Sequence, residues 1–173
     1  MKNSTVVKIG VFSSIAFLLQ MIHLPFKVGG FLEIEFSDIP AIIISFAVGP
    51  LAGVLVELIK NLLHLVVTST GGVGEFANFL VNGAFVFTLG MIYKKNKTKK
   101  NAALALIAAT GVLCVFAFFV NFYIMLPLYM KNADLLTKFR ITAFTITPFN
   151  LVKGTVLSVI TMLIYKRISG LIK

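Results

Sequence analysis

The stretch "FSDIPAIIISFAVGPLAGVLVELIKNLLHL" (residues 36–65) decides the fold, because it reads either as one kinked helix or as two helices with a break between them. Gly49 and Pro50 interrupt the apolar run, and proline inside a helix removes a backbone donor and clashes with the preceding turn. The piece before the break, Ile39 to Val48, makes a helix of only about 15 Å against about 30 Å of hydrocarbon. It therefore extends into the interface. "FSDIP" supports a helix start there, with Ser37 or Asp38 available as N-cap and Pro40 tolerated in the first turn.

Working outward, apolar stretches at 6–23, 39–48, 51–67, 75–93, 102–126 and 143–165 alternate with polar connectors. Of the 173 residues, 58% are hydrophobic and 13% charged, and the mean hydropathy is +0.99. That balance excludes an ordinary soluble domain. The runs do not alternate polar and apolar as barrel strands do. The expected fold is an all-α integral membrane protein, a six-helix transmembrane bundle forming a single domain over residues 1–173.

The net charge of +10 follows membrane topology better than a nucleic-acid surface, because the basic residues gather at alternate connectors. Lys2 and Lys8 accompany the first span, "KKNKTKK" (94–100) follows the fourth, and Lys166, Arg167 and Lys173 follow the last. Glu33, Glu35, Asp38, Glu75 and Asp134 fall in or beside the other connectors. The asymmetry predicts both termini in the cytoplasm. A single kinked helix over 39–67 would put "KKNKTKK" outside, so parity also favours the break.

The N-terminal "KIGVFSSIAFLLQMI" lacks a small-x-small cleavage site and reads as a retained span. The single Cys114 lies in an apolar helix as a small core residue. Tyr93 and Tyr165 at inner ends, and Tyr123 and Tyr129 at outer ends, are expected to anchor the interfaces. No phosphate loop, metal-spaced His and Cys, "HExxH" or "GxSxG" occurs, and "TGGVGEFAN" follows no strand. The chain is expected to be no enzyme and to bind no metal.

A charge retained at the bilayer centre costs about 2.5 to 3.5 kcal/mol on insertion scales, so it should face protein or water and find a partner. With the N-terminus inside, His64, Glu75, Asn78, Asn121, Asn150 and Lys153, from four helices, all fall in the outer half of the bundle. On the third helix Glu57, Lys60, Asn61 and His64 share one face, with Glu57 and Lys60 spaced for a structural ion pair. On the fourth, Glu75, Asn78 and Asn82 repeat the spacing. Asn150 and Lys153 lie about 60° apart around the sixth helix and project together, with Thr147 one turn earlier. An ammonium beside an amide suits a planar, polar-edged small molecule. Phe76, Phe79, Phe122, Phe144 and Phe149 could enclose it or simply pack. The connector "LPFKVGGFLEIEFSD" (24–38) alternates enough for a short extended piece and reads as a lid or as a cap on helix ends, with Gly29 and Gly30 lending flexibility.

Four segments in order, "EFSDIPAIIISFAVGPLAGVLVELIKNLLHL", "GEFANFLVNG", "NFYIMLPLY" and "TPFNLVKG", resemble the riboflavin-specific substrate-binding (S) component of energy-coupling factor transporters, the RibU family. The resemblance runs from about Ile9 to Tyr165. It implies a six-helix component that captures riboflavin from outside and works with a transmembrane T component and two ATPase subunits. It implies no resident cofactor: riboflavin is the transported substrate, and whether flavin mononucleotide is carried too stays open. By the same resemblance, Asn121, Asn150 and Lys153 match positions that hydrogen-bond the flavin ring, while Glu75, Asn78, Asn61 and His64 are additional candidates from periodicity. Family members present a small-residue face on the first helix to the T component. Here Gly10 and Ser14 stand where alanines are common, and they would serve either docking or packing inside the bundle. Two other readings remain at this stage. One is a self-sufficient proton-coupled secondary transporter of a planar vitamin or nucleobase-like substrate, using Glu57, Lys60 and His64. The other is an intramembrane enzyme with His64 and Glu75 as acid and base.

Overall fold

Gly49 takes φ +139°, a conformation that side-chain-bearing residues rarely adopt, and Pro50 starts the next helix. The break at residues 48–50 is therefore real, and it separates α2 (Asp38–Ala47) from α3 (Pro50–His64). This computed structural model describes residues 3–22, 27–28, 32–68 and 70–172. The other helices are α1 (Asn3–Gln20), α4 (Val73–Lys95), α5 (Lys99–Tyr129) and α6 (135–172). All but α2 are long and apolar enough to cross a membrane.

Because α2 is too short to span, other helices surround it. It packs against α1, α3, α4 and α6, and Ala41, Ile42, Ile44 and Phe46 are almost wholly buried. Lipid tails are as apolar as these side chains, so close van der Waals packing rather than hydrophobic transfer holds such helices together. One small residue allows it. A Cβ at Gly90 of α4 would meet Ser45 Oγ and lie 2.8 Å from Pro50 Cα, so α4 crosses the α2–α3 corner at backbone distance.

Two helices widen by one residue. Leu126 N–H donates to Asn121 C=O and Thr147 N–H to Thr142 C=O, five residues back, in π-turns at Asn121–Met125 and Thr142–Ile146. Each turn lies just before a proline, Pro127 and Pro148, which cannot donate and would crowd the carbonyl four residues earlier. The two π-turns pack against each other.

Between α1 and α2, β1 (Lys27–Val28) pairs antiparallel with β2 (Leu32–Glu33), Lys27 opposite Glu33 and Val28 opposite Leu32. The expected extended piece is thus shorter than the alternation suggested, and the glycines 29 and 30 proposed as its flexible point lie outside the described residues. The expected N-cap at α2 is not made by a side chain. Tyr93 and Tyr165 also differ from expectation: both are buried, their hydroxyls 2.9 Å apart, with Phe46 against the Tyr93 ring. They tie α2, α4 and α6 together at one end of the bundle instead of anchoring a lipid interface, whereas Tyr123 and Tyr129 are exposed.

Candidate functional site

At the end of the bundle opposite the tyrosine pair, a cavity of about 270 Å³ is lined by residues from α1, α3, α4, α5, α6 and the segment before α2. His64, Glu75, Asn78, Asn121, Asn150 and Lys153 all line it, joined by Gln20, Glu35, Asn82 and Phe149. Each amide on α5 and α6 is oriented by its own helix. Asn121 Nδ2 donates to Ala117 C=O at 2.8 Å and Asn150 Nδ2 to Ile146 C=O at 2.9 Å. One N–H per amide is so used, which leaves the other N–H and the carbonyl oxygen for a ligand. The π-turn beginning at Asn121 and the one ending just before Thr147 set the helix phase at both amides, and such turns are frequent at functional sites.

The wall contributed by α3 and α4 is already knitted. His64 Nδ1 lies 2.8 Å from Glu75 Oε1, and Thr70 Oγ1 donates to Glu75 Oε2 at 2.7 Å. Asn78 Nδ2 donates to Glu35 Oε1 at 2.7 Å, while its Oδ1 accepts from Asn61 and Asn82. Asn61 therefore stands behind Asn78 and does not line the cavity; the sequence expectation placed it one layer too far forward, because helix phase alone does not give radial depth.

Lys153 is not the free ammonium that an isolated lysine would be. Its Nζ lies 2.9 Å from Asp38 Oδ2 and donates to Asn82 Oδ1 at 3.4 Å; Glu35 Oε1 is 3.8 Å away. Asp38 in turn faces Lys60 Nζ through Oδ1 at 2.7 Å, and Glu57 Oε2 lies 2.7 Å from the same Nζ. The Glu57–Lys60 pair is thus present but is part of a longer chain of charges. Both residues are fully buried and neither lines the cavity. His64 and Glu75 face the cavity as a hydrogen-bonded pair.

Sequence reasoning missed three residues. Asp38 is expected from sequence only as a helix cap and Glu35 only as part of a connector, and Gln20, whose Oε1 is buried without a hydrogen-bond partner among the described residues, carries no expectation at all. Among the phenylalanines, Phe149 lines the cavity, whereas Phe76 and Phe144 are exposed on the lipid side and Phe79 lines a separate apolar groove between α3 and α4. Gly10 and Ser14 lie on the exposed face of α1 with Val7, Val11, Ile15 and Leu18; a Cβ at Gly10 would meet nothing within 4 Å. These two residues do not pack inside the bundle.

Residues 4–165 match the sequence family described as "ECF transporter, substrate-specific component". The chain is 35% identical over 177 residues to the riboflavin transporter RibU of Staphylococcus aureus (strain TCH60), covering 99% of this chain and 94% of that protein. It is also 35% identical to the riboflavin transporter FmnP of Bacillus subtilis (strain 168), covering 95% and 92%. Among solved structures, the S component of a bacterial ECF transporter superposes with TM-score 0.83 at 34% identity, over 100% of this chain and 99% of the other. ThiT from Listeria monocytogenes superposes with TM-score 0.65 at 14% identity, over 97% and 96%, and so shares the fold.

Proposed function

The chain belongs to the family of substrate-specific components of ECF transporters, and from that premise we propose that its cavity captures riboflavin from outside the cell for uptake driven by partner subunits. One observation carries this reading. Asn121, Asn150 and Lys153, from two helices, converge on one cavity in a chain whose relatives are named riboflavin transporters. The pyrimidine-like edge of a flavin offers carbonyl acceptors and an imide donor, which an ammonium and two amides complement. Phe149 supplies an apolar wall beside them. Flavin mononucleotide is the second cargo to compare: Glu35 and Glu75 on the wall disfavour its phosphate, so riboflavin is preferred.

The cavity opens outward, because the basic connector Lys94–Lys100 follows Tyr93 at the opposite end of the bundle, where positive charge marks the cytoplasmic side. Both termini are then cytoplasmic. The chain holds no nucleotide-binding loop, so a T component and two ATPase subunits supply the energy, and the small-residue face at Gly10 and Ser14 lets the T component approach α1 closely.

The test is a fluorescence-quenching titration of the purified protein with riboflavin and, separately, flavin mononucleotide. Saturable quenching by riboflavin is expected. A folded preparation that shows none refutes the reading. Gly10→Leu should keep that binding and abolish uptake in cells; uptake at the normal rate would move the docking face elsewhere.

A further inference from the structure

Lys60 and Lys153 are both fully committed to the interior, yet only one of them borders the cavity, and the carboxylate between them explains which. Lys60 Nζ donates to Ser37 Oγ at 3.2 Å and to Asp38 Oδ1 at 2.7 Å, and is ion-paired with Glu57 Oε2 at 2.7 Å. Lys153 Nζ donates to Asn82 Oδ1 at 3.4 Å and is ion-paired with Asp38 Oδ2 at 2.9 Å. The next oxygen, Glu35 Oε1, is 3.8 Å away, beyond hydrogen-bond reach. An ammonium carries three donors. At least one of Lys153's is therefore left over, and Lys153 lines the cavity.

We infer that Asp38 is the positioning residue of the binding site: by pairing with Lys153 through one carboxylate oxygen while its other holds Lys60, it fixes the cavity ammonium so that an unused N–H is presented to an acceptor on the ligand. The inference rests on the riboflavin reading given above. Asp38 touches no ligand, since it does not line the cavity; it acts through Lys153. The geometry requires an acid at this place. A lysine stem carries many rotamers and an ammonium is a point charge on a flexible chain, so without a fixed counter-charge Lys153 would swing the remaining distance to Glu35 and quench its spare donor there. Asp38 is itself immovable: it is fully buried at the first turn of α2, which four other helices enclose.

The role separates from simple structural support by a double-mutant cycle on the full chain in detergent, read by riboflavin quenching. Asp38→Asn should weaken riboflavin binding by about ten- to a hundredfold, the range for one charge-assisted hydrogen bond. In a Lys153→Met background the same substitution should change affinity by less than about twofold, because the group it positions is gone. Equal losses in both backgrounds overturn the inference. Removing one member of a buried charge pair endangers folding, so Asp38→Asn is also made together with Lys60→Met, which deletes one charge of each sign. That double variant should still bind at least about tenfold more weakly than Lys60→Met alone, and equal affinity of the two overturns the inference as well. Saturable binding by the unsubstituted chain is the control: its failure refutes the riboflavin reading, whereas the ratios refute only the assignment to Asp38.

Discussion

Replacing Asn150 and replacing Lys153 should both weaken riboflavin binding, but only the second should unsettle the fold. Asn150 touches protein through a single hydrogen bond to the carbonyl one turn back on its own helix, Ile146. Asn150→Leu keeps the branched shape of the side chain and strands no buried partner, since that carbonyl remains in the helix. The stability change should stay within about 0.5 kcal/mol, while a ligand group left unpaired in the cavity costs about 1 to 3 kcal/mol, or about ten- to a hundredfold in affinity. Lys153→Met keeps the aliphatic stem but leaves Asp38 Oδ2 without its counter-charge, fully buried. Breaking a buried pair costs about 3 to 5 kcal/mol. The low end applies, because Lys60 remains 2.7 Å from the other oxygen. About 3 kcal/mol lowers the melting temperature of a chain this size by about 6 to 12 °C. The assay is thermal unfolding in detergent by circular dichroism without flavin, beside a quenching titration of each variant. If Asn150→Leu melts as early as Lys153→Met, or Lys153→Met melts with the unsubstituted chain, the division between a binding amide and a binding cation tied into the fold is wrong.

Gly90→Ala gains about 1 kcal/mol of helix propensity, but its Cβ meets Ser45 Oγ and the Pro50 backbone, and overpacking of about 1 to 3 kcal/mol should win; Gly111→Ala, with nothing within 4 Å, should instead raise the melting temperature, and the reverse order would contradict the packing described. Tyr165→Phe leaves the Tyr93 hydroxyl without its partner and should lower stability by about 1 kcal/mol with riboflavin affinity unchanged, so a binding defect would tie that end to the cavity. Asp134 caps α6 by accepting from Thr137 N–H, a bond that holds its carboxyl below the usual range. The folded value being the lower one, the stabilisation is complete above the unfolded pKa of about 3.9 and lost as pH falls through the folded value. Asp134→Ala should speed amide hydrogen exchange at Leu136 and Thr137 at neutral pH and leave that rate unaltered in strong acid; identical exchange at neutral pH would remove the cap.

The helix count, the break at Gly49–Pro50 and the shared depth of the polar residues were legible because each depends on local pattern: apolar run length, proline and glycine chemistry, and helix period. Six of the seven residues chosen for the cavity line it for that reason. What was not legible was the pairing between distant segments. Nothing in "FSDIP" announces that Asp38 meets a lysine 115 positions later, and at a helix start the local role of a cap competes for the same side chain. Tyr93 and Tyr165 were misread on the same ground, since residues at the ends of apolar runs look alike whether they face lipid or one another. The π-turns had a signal in Pro127 and Pro148, but a proline one turn inside a span also suits a plain kink.

The shortness of α2, which in the sequence looks like a defect in a membrane span, is what brings an acid to the cavity. A ten-residue helix covers about 15 Å, roughly half of the hydrocarbon, and its first residue is fully buried among the other helices. Asp38 is that first residue. A full-length span would carry its N-terminal carboxylate up to the headgroups, out of reach of a lysine eighteen residues past the start of α6 at Leu135. A short one needs cover on every side, and α1, α3, α4 and α6 provide it. The enclosing helices, the corner at Gly49 and the close approach at Gly90 then serve one outcome: a carboxylate fixed in the interior, with a lysine on either side of it and an ammonium donor left for the guest.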